Sequence, residues 1–241
     1  MSQKKIQQSD NHHRIAIGLL KKCDKKRALS HLIKAVEYDP NKFILRHSLA
    51  VNYYSLNKYK KALVEFKKSL DLEPKLTDSL VGLAKTYLKL NELDKASNYL
   101  KKAEQDLTYP RSLEIIATKA LLEYEKGNYL MAQKGFEDVL SLPSGQTCRN
   151  YLRLGQSQMY LKFFDKAERN LKKAVINCKK LEKNSCAILD YEEYFALAQL
   201  NLKKKNQKKA RYYLNLFLKK SNTNTDEAMI EKAQKFLKQM S

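Results

Sequence analysis

The sequence has no tryptophan, and its 241 residues include only 6 glycines and 4 prolines. So few chain breakers argue against an all-β or loop-rich protein, which needs turn residues at short intervals. Long apolar runs are missing as well. Nothing approaches the roughly 20 apolar residues of a membrane span, and no signal-peptide pattern is expected in the chain as it stands. Acidic residues are outnumbered, 26 against 47 basic ones, for a formal net charge of +21. Arginine itself is scarce: 8 of the basic residues are Arg and 39 are Lys. Arginine is the better reader of phosphates and bases, and the Lys pairs are spread over the whole length. The excess therefore reads as a solvated surface, and nucleic acid is not the expected ligand. There is no Gly-rich phosphate loop, no HExxH pair and no nucleophile elbow. The scattered carboxylates offer no pair for acid–base work. No enzyme activity, cofactor or metal is expected.

What the chain does have is 43% hydrophobic residues with Leu, Lys, Ala and Glu at helical spacing, the signature of an all-α protein. Ala28, Ala62, Ala96, Ala132, Ala167 and Ala210 form a ladder with steps of 34, 34, 36, 35 and 43 residues. Four residues after each comes Leu32, Phe66, Leu100, Phe136, Leu171 or Leu214. Twelve before each comes a small residue: Ala16, Ala50, Ala84, Ala120, Gly155 or Ala198. Immediately before that stands Ile15, Leu49, Leu83, Leu154 or Leu197, with Lys119 the exception in the fourth repeat. Pro40, Pro74, Pro110 and Pro143 fall at repeat ends, where a helix must stop.

The pattern has a simple physical cause. Each repeat is two antiparallel helices, A then B; a small residue on each lets the two approach, and the large residues fill the space between repeats. Residues 43–76 match the tetratricopeptide (TPR) consensus almost position for position, so the chain resembles a TPR solenoid. That resemblance implies an all-α, right-handed superhelix of about six repeats, with helix pairs at 9–42, 43–76, 77–112, 113–147, 148–181 and 191–222. Residues 1–8 read as a polar leader and 182–190 as an insertion. Within the terminal segment 223–241, Met229, Ala233, Phe236 and Met240 recur every three or four positions. That segment is expected to form a helix, capped by Asp226, that covers the open end.

In TPR proteins partner segments usually lie against the A helices. Here that face is expected to carry His13, Ile17, Leu20, His47, Val51, Tyr54, Val81, Lys85, Leu88, Leu121 and Tyr124. The row is largely apolar and suits an apolar strand or helix of a partner; the competing reading, that part of it is core between repeats, is the weaker one because other residues already fill the consensus core positions. A clamp of Lys, Asn and Arg for an acidic chaperone tail is missing: the corresponding positions hold His13, Ile17, Ser48, Asp78 and Gly82.

Of four cysteines, Cys23 occupies the turn of the first repeat, while Cys148, Cys178 and Cys186 fall near one end of one hairpin. Two readings stay open. One is a disulfide, Cys178–Cys186 first and Cys148–Cys178 second, in an oxidising compartment; the other is free thiols in the cytosol. A zinc site is not expected, because no short paired spacing is present and His12, His13, His31 and His47 form no ligand set.

One segment narrows the family. The third repeat ends in an Asp-x-Thr-Tyr-Pro element (Asp106, Thr108, Tyr109, Pro110), which lengthens it by two residues. With the repeat number and the opening His12-His13-Arg14-Ile15-Ala16 stretch, this resembles the type IV pilus biogenesis lipoproteins of the PilF/PilW type. The resemblance implies a monomeric assembly factor, a pilotin, that helps the outer-membrane secretin form. It would sit at the periplasmic face of the outer membrane through an N-terminal lipid, the only membrane contact expected. Cys23 follows Leu20, Lys21 and Lys22 and is no lipobox, so that location requires a signal removed upstream; otherwise the chain is cytoplasmic. A cytosolic TPR scaffold for signalling or motility and a basic nucleic-acid adaptor are the alternatives.

Overall fold

A computed structural model describes residues 2–106, 112–182, 190–221 and 225–240. Among the described residues all regular structure is helical. The helices are α1 (Gln3–Lys21), α2 (Lys25–Tyr38), α3 (Phe43–Ser55), α4 (Tyr59–Leu72), α5 (Thr77–Lys89), α6 (Leu93–Ala103) and α7 (Ser112–Glu125). They continue with α8 (Tyr129–Leu140), α9 (Cys148–Tyr160), α10 (Phe164–Glu182), α11 (Glu192–Lys203), α12 (Gln207–Lys220) and α13 (Glu227–Gln239). A 3-10 turn, Pro143–Gly145, precedes α9.

Contacts divide the chain into two compact units, Met1–Glu125 and Lys126–Ser241. In the first, α1/α2, α3/α4 and α5/α6 are antiparallel hairpins stacked in order, and α7 packs on α5 and α6. In the second, α8 packs on α9, α9/α10 and α11/α12 are hairpins, and α13 packs on α12. The division falls inside the segment 113–147 that the sequence pattern treats as one repeat.

The ladder residues do what their size dictates. All six B-helix alanines are fully buried, and Leu32, Phe66, Leu100, Phe136, Leu171 and Leu214 are at most 2% exposed. Where A and B come closest, even a methyl is too large. A Cβ on Gly82 would lie 2.4 Å from Cε1 and Cζ of Phe66, and one on Gly155 would lie 2.7 Å from Cγ of Leu171. Burying a Leu or Phe side chain contributes roughly 1.5–3 kcal/mol; the Gly82–Phe66 contact, between α5 and α4, ties successive hairpins together, and the Gly155–Leu171 contact holds α9 against α10 within one. Ile15 differs from its equivalents: it is 37% exposed, whereas Leu49, Leu83, Leu154 and Leu197 are buried. Leu49 and Leu83 cluster with residues of the preceding B helix, a neighbour that Ile15 does not have among the described residues.

A second ladder runs through the turns between A and B helices. Cys23, Asn57, Asn91, Gly127, Lys162 and Lys205 all have positive φ, between 57° and 80°. They succeed one another at 34, 34, 36, 35 and 43 residues, the same steps as the alanines. After five of the six, the next N–H reaches back to the end of the A helix: Asp24 donates to Leu19, Lys58 to Tyr53, Glu92 to Tyr87, Phe163 to Gln158 and Asn206 to Asn201. Carbonyls that would be orphaned at the helix end are satisfied in this way.

The termini show one departure and one agreement. Residues 3–8, expected to be a polar leader, are the first turns of α1. With no Gly or Pro to stop it, the helix extends towards the N-terminus; the buried Ser9 hydroxyl donates to the Ala35 carbonyl at 3.0 Å, and Asp10 pairs with Lys42 at 2.8 Å. At the other end Asp226 accepts from the Ala228 N–H and starts α13. Ala233 is fully buried, and Met229, Phe236 and Met240 pack over Tyr194, Phe195, Leu214 and Phe217.

Candidate functional sites

The predicted A-helix face of the first unit resolves into three rows, because equivalent residues recur at the repeat period. The first row is His13, His47 and Val81. His13 Nε2 lies 3.0 Å from the Ser48 hydroxyl on α3, and His47 Nδ1 lies 2.9 Å from the Ser79 hydroxyl on α5. Burial, reinforced by nearby Lys42, pushes the His13 pKa below its ordinary value, so at neutral pH the ring is an uncharged hydrogen-bonding group. These histidines stitch one repeat to the next. Val81 is 1% exposed and belongs to the core, a correction to its expected place in a groove. The cause is local: where the earlier repeats have an imidazole reaching a serine, Val81 has only carbons to pack.

The third row, Leu20, Tyr54, Leu88 and Tyr124, is half-buried. Leu20 packs on the α1–α2 core, while Tyr54 and Leu88 pack on the core around Phe66, with the Tyr54 ring edge-on to Tyr59. The middle row is the accessible one. Ile17 is 37% and Val51 43% exposed, and Leu121 is half-buried. Between them Lys85 is ion-paired to Glu114 on α7. The first unit therefore presents an apolar strip across α1, α3 and α7, with a neutralised Lys–Glu pair in its path.

In the second unit the positions of α9 and α11 equivalent to Ile17 and Val51 hold Gln156 and Gln199, so this row is polar there. Residues 151–159 of α9 are buried apart from the half-buried Arg153, and so are residues 192–198 of α11. Much of what they bury is polar. Arg153 Nη1 donates to Glu192 at 2.9 Å and to Gln156 at 2.7 Å, and Gln156 donates to Glu192 at 2.9 Å. This network pairs the opposite charges of Arg153 and Glu192 where they are buried.

Beside this network the ends of three helices meet. Cys148 is the first residue of α9, Cys178 sits in the last turns of α10, and Glu193 is in the first turn of α11. Cys148 and Cys178 form a disulfide, with Cα atoms 5.1 Å apart. This replaces Cys178–Cys186 as the pairing of Cys178; Cys186, like most of the insertion at 182–190, lies outside the described residues. The two sulfurs and a Glu193 carboxylate oxygen all lie within 4.8 Å of one another. Glu193 is 2% exposed. Burial first, then the neighbouring charges of Asp190, Glu192 and Glu182, push its pKa up to about 7. The sequence reading brought Cys148 and Cys178 to one end of one hairpin, but nothing in the spacing pointed to Glu193 beside them. Elsewhere His12 and His31, also unpaired in the sequence reading, bring their Nδ1 atoms to 2.9 Å.

The tetratricopeptide repeat family model matches residues 53–108. The fold is a TPR array. No curated protein matches the chain. Among solved structures, PilF of Pseudomonas aeruginosa is 17% identical with a TM-score of 0.66, the alignment covering 95% of this chain and 100% of that one. PilW, a type IV pilus biogenesis factor, is 18% identical with a TM-score of 0.72, covering 91% and 94%. A chain of the APC/C hetero-tetramer Cut9–Hcn1 is 17% identical with a TM-score of 0.79, covering 96% of this chain but 42% of its own length. At such identities the likeness is one of fold. A TPR fold is a scaffold for protein–protein interaction, so the coarse function is a protein-binding one. The Asp-x-Thr-Tyr-Pro element lies outside the described residues except for Asp106, whose carboxylate accepts from the Thr77 hydroxyl at 2.7 Å.

Proposed function

We propose that this chain is a non-catalytic docking module whose first unit captures an apolar segment of a protein partner along Ile17, Val51 and Leu121. The observation that carries this is the middle row: it alone among the three combines apolar side chains with access to solvent. The partner is a secretin subunit of a type IV pilus machine, and the chain acts in secretin assembly. Support comes from the end-to-end match to PilF and PilW, which both chains cover almost completely. The Cys148–Cys178 disulfide supports a periplasmic location.

Ile17→Glu and Val51→Glu place a charge on the strip without entering the core. Each should weaken capture of the secretin tenfold or more, since losing about 1.5–3 kcal/mol of apolar burial corresponds to that factor. Helicity and melting should stay near wild type. Leu20→Glu or Tyr54→Glu would disturb packing and are poorer probes. Lys67→Glu and Lys68→Glu on α4 serve as controls. Undiminished capture by both strip variants, or loss with the α4 controls instead, sinks the reading.

A further inference from the structure

We propose that Cys148, Cys178 and Glu193 form a redox-gated site for one thiophilic divalent cation of the zinc class, closed when the two sulfurs are bonded and open when they are reduced. The site is independent of the docking strip. Its basis is that three side chains from three helices already place their donor atoms within 4.8 Å of one another. The donor set also suits such a metal: two thiolates and a carboxylate are standard zinc ligands, and three protein ligands leave one position for water.

The surroundings fit a cation too. In a chain of net charge +21, this corner gathers Glu182, Asp190, Glu192 and Glu193. Three of these carboxylates have basic partners: Lys220 for Glu182, Arg149 for Asp190 and Arg153 for Glu192. Glu193 is buried and directed at the sulfurs instead. The first turns of α9 and α11 carry Cys148 and Glu193, so the helix dipoles favour their anionic forms.

Opening the site is a two-electron step. A dithiol reductant gives two electrons and two protons to the Cys148–Cys178 bond, leaving two thiols and the reductant's own disulfide. Binding of the cation then releases both thiol protons and whatever proton Glu193 holds. To share one zinc at Zn–S distances of ~2.3 Å in tetrahedral geometry, the sulfurs must move to ~3.7 Å apart. Cys148 can supply that movement by side-chain rotation, since it is half-buried at a helix start while Cys178 is 4% exposed.

The test uses the full-length chain with Cys23→Ser and Cys186→Ser, reduced and titrated with Co2+ and then Zn2+. One equivalent of Co2+ should produce a thiolate-to-cobalt charge-transfer band, which Zn2+ displaces. The oxidised chain should show none. Glu193→Gln should weaken Zn2+ binding at least tenfold against a chromophoric chelator, whereas Glu182→Gln should leave it within about twofold. A second measurement covers the case in which the Ser variants fold poorly: in the reduced wild-type chain, Zn2+ should slow alkylation of Cys148 and Cys178 but not of Cys23. Absence of the band from the folded reduced chain, equal affinity in Glu193→Gln, or equal binding by the oxidised chain overturns the proposal. So does alkylation of Cys148 and Cys178 unaffected by Zn2+.

Discussion

The contact between Gly82 and Phe66 gives the sharpest test of why this sequence stacks as it does. An added Cβ at Gly82 would meet the buried Phe66 ring at 2.4 Å, a distance real Cβ atoms do not show. The ring has little freedom to retreat: it is 1% exposed, with the His47 ring 5.7 Å away on its other contacts. Two effects then compete in Gly82→Ala. Helix propensity gains about 1 kcal/mol, while overpacking costs roughly 1–3 kcal/mol. The net change should be a loss of about 0–2 kcal/mol. Phe66→Leu removes the ring and vacates the space. In that background Gly82→Ala should stabilise by up to about 1 kcal/mol, because only the propensity gain remains. The sign of one substitution thus depends on its neighbour, with a coupling of about 1–3 kcal/mol. Urea unfolding followed by far-ultraviolet circular dichroism and by tyrosine fluorescence measures all four proteins. Coincident transitions are needed, since repeat arrays can lose two-state behaviour. If Gly82→Ala has the same effect with Phe66 and with Leu at that position, the close-approach argument is refuted.

Three further outcomes rest on particular residues. Opening the Cys148–Cys178 bond, which spans 30 residues, should lower stability by about 3–4 kcal/mol on the loop-entropy relation; urea midpoints with and without a dithiol check this in a Cys23→Ser, Cys186→Ser background, because Cys23 is disulfide-bonded as well, and adding Cys148→Ser there should remove the response to the reductant. Hydrogen bonds from Lys172 and Lys204 hold the Glu168 carboxyl at about 2, so its contribution is complete above the unfolded value of 4.5 and fades as pH falls towards 2. The stability difference between wild type and Glu168→Gln should therefore be about 1–2 kcal/mol at pH 7, after allowance for exposed partners, and shrink between pH 4.5 and 2; a gap that widens in acid contradicts the assignment. At Lys162, with φ 64°, replacement by Gly should raise stability by up to about 1 kcal/mol, whereas Val should lower it by about 1–2 kcal/mol. Thermal melts decide between these and a turn that tolerates any residue.

The architecture was legible because its constraints act on residue size. Two helices cannot approach closely unless both carry small residues at the crossing, so Ala28, Ala62 and their successors mark every hairpin in plain sequence. The left-handed turn ladder was legible in part. Asn57, Asn91 and Gly127 are residue types that tolerate positive φ, but Cys23, Lys162 and Lys205 are not, and there the helix ends on either side impose the geometry. The N-terminal extension of α1 was hidden because residues 3–8 are polar on nearly every side. Their helicity is set by the remainder of α1, not by an apolar stripe of their own.

The sites were harder to read for a reason the three rows expose. Helical periodicity identifies the residues on the A-helix face, but three rows share that face. Which of them remains open depends on how far the next repeat is displaced. His13, His47 and Val81 occupy the side towards the next repeat and are consumed by it; Leu20, Tyr54 and Leu88 lean back onto their own hairpin. Only Ile17 and Val51, between these demands, are left to water, and an exposed apolar pair at equivalent positions is what a docking strip requires. The corner at Glu193 lay further still from sequence view. Its three donors are separated by 30 and 15 residues, spacings that match no ligand motif. They meet because α10 runs to Glu182, carrying Cys178 back to the start of α9, where α11 also begins. A repeat fold thus writes its packing in the period itself, while its chemistry gathers where the period is broken, here between repeats five and six.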